Sequence, residues 1–256
     1  MEEAIRLHNS QHPDQKLSTR NPANFFKDFI RKKSSANSYW PKSVLSHGYT
    51  ARQVTGKNLC FEFMPLARGQ TAAFPVSSYA PTRVTQTHSI QSSSMSLASR
   101  RLGRSDEAWL IQVLVKLNVI ETHLSVASKR EIVQVDLLQT NLKQSRAEID
   151  ALFLAVERNG GEGNGTREVL VTCEAKGIRD DILEDQIIAQ VKAVFKMRAI
   201  TQSTVIPLAA KAVGPSKVYI VQFAPVFQSQ VSDLESLILE SEALYELVPA
   251  VPGIGE

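Results

Sequence analysis

Hydrophobic and polar positions follow a regular order through the second half of the chain. Ser105 is a possible N-cap, and the apolar residues after it recur at helical spacing at Leu110, Val113, Leu114, Leu117 and Leu124. The later pattern predicts strands at 131–142, 148–156 and 169–176, a helix at 181–198, strands at 205–210 and 218–223, and an acidic helix at 232–247. This α-β-β-β-α-β order with a helical tail predicts an α/β fold, in which helices flank a mixed central sheet.

The first hundred residues have a less regular pattern that interleaves basic and aromatic side chains. Asn21 and Pro22 suit an N-cap and a first helical position, and the predicted helix ends in Arg31, Lys32 and Lys33. An alternating run at 59–64 predicts a strand. This part of the chain is therefore expected to form a basic α+β region.

A polar segment and two changes in charge divide the chain into three predicted parts. Residues 76–99 are rich in Ser and Thr, which indicates either a flexible linker or a loop whose hydroxyl groups contact DNA. The predicted parts are the basic region at 1–98, the α/β core at 99–230, and the acidic C-terminal helix with its tail at 231–256. The C-terminal helix is also a candidate dimer contact, with a core position as the alternative.

Charge is distributed unevenly along the 256 residues, although the net charge is only +3. Up to Arg104 there are 15 Lys and Arg against 5 Asp and Glu, a net charge of +10, whereas the remainder carries 14 against 21, a net charge of −7. The basic part favours a polyanionic partner such as nucleic acid, and a basic surface without a partner is the alternative.

Composition otherwise indicates a globular protein, with 43% hydrophobic and 21% charged residues. No apolar run approaches the roughly 20 residues that span a bilayer. Acidic residues at the N-terminus argue against a signal peptide, and Cys60 and Cys173 resemble buried thiols, so a cytoplasmic location is expected. The glycine-rich segment 159–165 lacks a following Lys-Ser/Thr and helix, which indicates a hairpin turn and no nucleotide cofactor.

Two acidic residues and a lysine are predicted to meet at one end of the sheet. A hairpin folded about Glu162 places Asp150 opposite Glu174, and the two-residue period of a strand puts Lys176 on the same face. Carboxylates this close repel one another unless a cation lies between them, and oxygen ligands suit Mg²⁺. The main-chain carbonyl of Ala175 is a third candidate ligand. The alternative is a solvated ion pair at the end of a strand.

These residues resemble the core of the PD-(D/E)xK nuclease superfamily, and the chain is most similar to a type II restriction endonuclease. The matching pieces are Asp150, the Glu174-Ala175-Lys176 segment, and a helix with Gln186 and Gln190 where the superfamily often places a glutamine. Glu107 corresponds to an acidic residue that some members add from the preceding helix. The resemblance covers residues 104–224 and departs at Ile149, where the family often has proline.

The resemblance implies a restriction-endonuclease-like core and a Mg²⁺-dependent, sequence-specific endonuclease that hydrolyses double-stranded DNA as a homodimer. Asp150, Glu174, Lys176 and Gln186 are the candidate catalytic residues, and Asp150, Glu174 and the Ala175 carbonyl are the candidate metal ligands, with Glu107 as a further one. The candidate DNA-binding residues are Arg31, Lys32, Lys33, Arg52, Gln53, Arg83, Arg100, Arg101 and Arg104. The alternatives are a structure-selective nuclease, such as a junction resolvase or repair enzyme, and a non-catalytic DNA-binding protein on the same fold.

Overall fold

The regular second half of the chain builds one large mixed sheet with helices on both faces. The computed structural model describes residues 2–19, 33–53, 61–66, 69–74, 79–144, 147–158 and 165–256. The chain divides into two units, Met1–Val76 and Ser77–Glu256. This division lies before the expected boundary at 98/99, because residues 87–91 join the large sheet, and residues 231–256 belong to the second unit as well.

The first unit combines short helices with a two-stranded antiparallel sheet. Its elements are α1 (Glu2–Gln11), α2 (Lys33–Tyr39), α3 (Lys42–Ser46), β1 (Tyr49–Gln53) and β2 (Phe61–Pro65). Its small core contains Trp40 and Phe74, whose rings meet edge to face at 5.1 Å. The helix predicted after Asn21 lies outside the described residues up to residue 32.

The second unit contains the elements that carry the predicted site. They are β3 (Thr87–Gln91), α4 (Leu97–Arg101), α5 (Glu107–Lys116), α6 (Val119–Val126), β4 (Ile132–Gln144), β5 (Ala147–Arg158), β6 (Thr166–Lys176), α7 (Glu184–Val194), β7 (Thr204–Gly214), β8 (Lys217–Phe223), β9 (Val226–Phe227), a 3₁₀ helix (Gln228–Asp233) and β10 (Leu239–Val248). The strand order is β3-β10-β8-β7-β6-β5-β4, with β9 paired to β7. The predicted mixed sheet with flanking helices is confirmed.

Helices α5 and α6 cover one face of the sheet, and their apolar positions are those that the sequence predicts. Leu110, Val113, Leu114, Leu117 and Leu124 are all buried. The helix begins one residue later than predicted, since the Asp106 side chain accepts a hydrogen bond of 2.8 Å from the Trp109 N–H. The sequence predicts one continuous helix here, but the structure has two, α5 and α6, because Asn118 between them adopts a positive φ of 50°.

Helix α7 covers the other face and connects two parallel strands. Ile187, Val191 and Val194 on its inner side are fully buried. Val191 and Val194 pack with Leu170 of β6 and Val205 of β7. Since β6 and β7 are parallel, the chain must cross over between them, and α7 is that crossover.

The prediction of a C-terminal acidic helix at 232–247 is wrong, and with it the helix proposed as a dimer contact. Residues 239–248 form β10, an inner strand of the sheet between β8 and β3. Ala243, Tyr245 and Leu247 alternate into the core at a period of two. Glu242, the acidic residue just before them, has partners in the fold, because it accepts hydrogen bonds from Thr85 and Tyr219.

The Ser- and Thr-rich segment is also part of the fold. Residues 87–91 form β3, an edge strand that runs parallel to β10, and Ile90 is buried. Ser92 follows the strand and donates its hydroxyl hydrogen to the Pro249 carbonyl. Neither a linker nor a DNA-following loop describes residues 87–92.

Strands β5 and β6 form the predicted antiparallel hairpin, and they separate at the predicted site. Ala151 is paired with Cys173, and the same register continued by one residue sets Asp150 across from Glu174. Beyond that point β5 continues beside β4, while β6 continues beside β7 as far as Lys176. The two strands therefore open into a fork.

Among the described helices, none is long and apolar enough to cross a membrane.

Candidate active site

The fork between β5 and β6 brings the predicted acid pair and lysine together. Asp150 accepts a hydrogen bond of 2.8 Å on Oδ2 from the Ala175 N–H. Lys176 donates from Nζ to Glu174 Oε1, and both side chains are about nine-tenths buried, with 10% and 8% exposed. The N–H and C=O of one strand residue point to the same side of the strand, so the Ala175 carbonyl also faces Asp150.

Gln190 of α7 holds Glu174 from the helical side. Its amide Nε2 donates to Glu174 Oε2 and to the main-chain carbonyl of Glu148, the latter at 2.9 Å. The side chain is 1% exposed. With Lys176 on one carboxylate oxygen and Gln190 on the other, the orientation of Glu174 is fixed.

The sequence predicts a glutamine of α7 at the site, with Gln186 as the catalytic candidate and Gln190 beside it, and in the structure Gln190 is the one that contacts Glu174. Gln186 lies one helical turn earlier, and its Oε1 is buried without a hydrogen-bond partner among the described residues. Both glutamines precede a fully buried residue of α7, Ile187 and Val191, so the helical pattern alone does not separate them.

Glu107 reaches the same cluster from the first turn of α5. Its Oε1 lies 3.6 Å from Lys176 Nζ, and its side chain is 35% exposed. Lys176 is therefore near three carboxylates, those of Glu107, Glu174 and Asp150. Three acidic groups around one ammonium leave the cluster with a net negative charge when all four are ionised.

Burial and this charge imbalance shift the acid–base equilibria of the cluster. Burial, reinforced by the charge of Glu174, raises the pKa of Asp150 from 3.8 to about 7. Burial also raises the pKa of Glu174, although Lys176 opposes the shift. For Lys176, burial lowers the pKa, but the attraction of Glu174 and Glu107 outweighs it and the pKa is raised. Burial is thus the largest cause of the raised pKa at both carboxylates, and the neighbouring acidic groups add to it.

The donor set fits a hard divalent cation held by few protein ligands. Asp150, Glu174 and the Ala175 carbonyl supply oxygen atoms only, which is the ligand type of Mg²⁺, and Mg²⁺ keeps several waters. The Oε1 atoms of Gln186 and Gln190 are buried acceptors without a donor in the described part of the chain, so the site also has places for ordered water. Within those same described ranges, no group of three or more His, Cys, Asp or Glu is arranged as a ready metal cage.

The predicted DNA-binding residues occupy different environments. Arg100 has a structural role, because its guanidinium donates hydrogen bonds within the protein. The acceptors are the main-chain carbonyls of Ser92, Met95, Pro249 and Ala250. Three other predicted DNA-binding arginines are described and exposed. They are Arg83, Arg101 and Arg104, the last in an ion pair with Asp106.

The remaining predicted DNA-binding side chains lie outside the described part of the structure. Arg31 and Lys32 lie outside the described residues. The side chains of Lys33, Arg52 and Gln53 also lie outside them, although their backbones belong to α2 and β1.

Comparisons with known proteins add no family assignment. No protein-family model matches the chain, and neither the curated proteins nor the solved structures gave a significant match.

Proposed function

We propose that this protein is a Mg²⁺-dependent DNA endonuclease with a restriction-endonuclease-like core, most similar to type II enzymes. The observation that carries the proposal is the convergence of Asp150, Glu174 and Lys176 at the fork where β5 and β6 separate. The helix and strand order around the fork supports it, since an antiparallel hairpin is followed by a crossover helix and a parallel strand.

Each group at the fork has a distinct part in phosphodiester hydrolysis. Asp150, Glu174 and the Ala175 carbonyl would hold the ion, and Glu107 is a further candidate ligand. When bound, Mg²⁺ supplies charge stabilisation at the scissile phosphate and lowers the pKa of a bound water. Lys176 carries its positive charge to the same place, where it orients the attacking water or neutralises the transition state.

The surrounding hydrogen bonds keep these groups in position. The Ala175 N–H holds Asp150, and Gln190 holds Glu174 through an amide that is itself bonded to the Glu148 carbonyl. Such supporting contacts restrict a ligand to one orientation and make it a better ligand.

The uneven charge of the chain supports DNA as the substrate. The net charge of +10 up to Arg104 suits a phosphate backbone, and exposed Arg101 and Arg104 lie a few residues before Glu107 in the sequence. Cutting both strands of a palindromic site with one active site per chain favours a two-fold homodimer.

Incubation with long duplex DNA and Mg²⁺ tests the proposal, with a chelator control and an Asp150→Asn variant. Discrete fragments that require both the metal and Asp150 are expected, and sequencing their ends gives the recognition site. Cutting of branched junctions in place of linear duplex would identify a structure-selective nuclease. Tight DNA binding without cutting of either substrate would leave the non-catalytic alternative.

A further inference from the structure

A second lysine lies beside Lys176 on the neighbouring strand. The parallel pairing of β6 and β7 sets Lys176 next to Lys211. Directly paired residues of neighbouring strands point to the same face and are separated by about 4.8 Å, the spacing between strands. Tyr219 of β8 continues the row beyond Lys211 and is fully buried. Lys211 therefore emerges at the active-site end of the sheet, between the catalytic lysine and a packed aromatic ring.

The two lysines differ in what neutralises them. Lys176 contacts Glu174 and also lies 3.6 Å from Glu107. Lys211 Nζ has a longer ion pair, 3.4 Å to Oδ1 of Asp181, in the connection between β6 and α7. The Lys211 side chain is 15% exposed and Asp181 is 32% exposed, so the pair lies where solvent or a ligand can reach it.

We propose that Lys211 binds the DNA backbone phosphate next to the one that is cut. The proposal rests on the nuclease function and adds a substrate-binding residue to that site. A strand of DNA that crosses the ends of β6 and β7 presents successive phosphates to the two ammonium groups. Lys176 then acts at the scissile phosphate, while Lys211 exchanges its Asp181 contact for a neighbouring phosphate and fixes the position of the strand.

The test compares Lys211→Gln with Lys129→Gln, which removes the same charge from the opposite end of the sheet. Lys129 is exposed and precedes Arg130, whose guanidinium binds Glu157 at that end. Affinity for a labelled duplex of mixed sequence is measured with Mg²⁺ at several salt concentrations, with every variant in an Asp150→Asn background to prevent cutting. Cleavage of long duplex DNA is measured with Asp150 restored.

Lys211→Gln is expected to bind the duplex about tenfold more weakly, with a salt slope lower by about one, as for one lost phosphate contact. Lys211→Arg should restore most of the affinity, and Lys129→Gln should match the parent protein. In cleavage, KM should rise more than kcat falls. Asp181→Asn separates binding from a structural ion pair, because releasing Lys211 should leave DNA affinity equal or higher.

The outcomes that overturn the inference are distinct from failure of the nuclease proposal. If Lys211→Gln and Asp181→Asn weaken binding equally and lower the melting temperature equally, the pair is structural and the inference fails. If the wild-type protein cuts DNA but Lys211→Gln behaves as Lys129→Gln, the inference alone fails. If the wild-type protein cuts no DNA with Mg²⁺, both proposals fail together.

Discussion

The two ends of the β5–β6 hairpin bury acidic residues in opposite electrostatic settings. At the far end Glu157 accepts hydrogen bonds from Arg130 and Arg167, so one carboxylate has two guanidinium groups. At the fork Asp150 and Glu174 share a single lysine with Glu107. The same pair of strands thus carries one acid with sufficient compensation and a group of acids without it. The end with surplus negative charge is the one at which we propose that a metal cation binds.

Replacing the basic side chain at each end should give the largest difference in cleavage rate. Lys176→Met should reduce DNA cleavage about a thousandfold, a loss of roughly 4 kcal/mol in transition-state stabilisation. Arg130→Met should leave the cleavage rate nearly unchanged, because Arg130 lies at the other end of the sheet. Single-turnover cleavage assays on both purified variants measure this difference. Equal losses of rate would place the chemistry away from the fork.

Neutralising the acid at each end should change stability in opposite directions. Glu157→Gln leaves Arg130 and Arg167 without their carboxylate and should cost about 3 kcal/mol of unfolding free energy. Asp150→Asn keeps an oxygen for the Ala175 N–H and removes repulsion with Glu174, so it should stabilise the metal-free protein by about 1 kcal/mol. Urea denaturation without metal measures both changes. A destabilised Asp150→Asn protein would show that the fork is a structural charge cluster.

The glutamines of α7 refine the comparison, because only one of them contacts the acid pair. Gln190→Leu should lower kcat about 10- to 100-fold, the usual cost of losing a contact that orients a metal ligand. Gln186→Leu should have a smaller effect, since its Oε1 has no partner among the described residues. The apparent affinity for Mg²⁺ should weaken with Gln190→Leu, which a purely structural glutamine would not produce. Cleavage rates measured across a Mg²⁺ titration give both quantities.

The last expected effect is a pH dependence of stability that originates at the fork. The pKa of Asp150 rises from 3.8 to about 7 on folding, so the folded protein binds more protons than the unfolded chain between these values. Its unfolding free energy should therefore decrease as pH rises through that window. Melting temperatures of Asp150→Asn and the wild type should diverge over the same range without metal, and Mg²⁺ should reduce the divergence. If the melting temperatures of the two proteins changed with pH in parallel, the predicted pH dependence would be contradicted.

The sequence predicts which side chains meet at the fork, because local rules control that part of the fold. A glycine-rich turn between two apolar runs predicts the hairpin, and the alternation of a strand then orders Asp150, Glu174 and Lys176 on one face. It does not predict which glutamine of α7 meets Glu174. Gln186 and Gln190 lie on the same helix face one turn apart, so the choice depends on where along its length the helix passes Glu174, which local pattern does not determine.

The C-terminal strand shows why the rest of the fold was harder to predict. Leu244 and Leu247 fit helical spacing, whereas burial follows Ala243, Tyr245 and Leu247 at a period of two. The decisive contacts are distant in sequence, with β8 on one side and β3 on the other. Residues 87–91 were missed for a related reason, because an edge strand with one buried residue, Ile90, has almost no apolar pattern of its own.

The position of β10 between β8 and β3 also determines when the sheet can be completed. Among the described strands, β3 pairs in the large sheet through β10 alone, with Thr87 aligned to Leu244 and Gln91 to Val248. The ribosome makes β3 long before β10, so β3 has no partner in the sheet until residues 239–248 have been translated. The sheet is therefore completed only after residues 239–248 have been made, and a chain truncated before Leu239 would leave the edge of β8 unpaired and β3 without a partner in the sheet, a target for proteolysis.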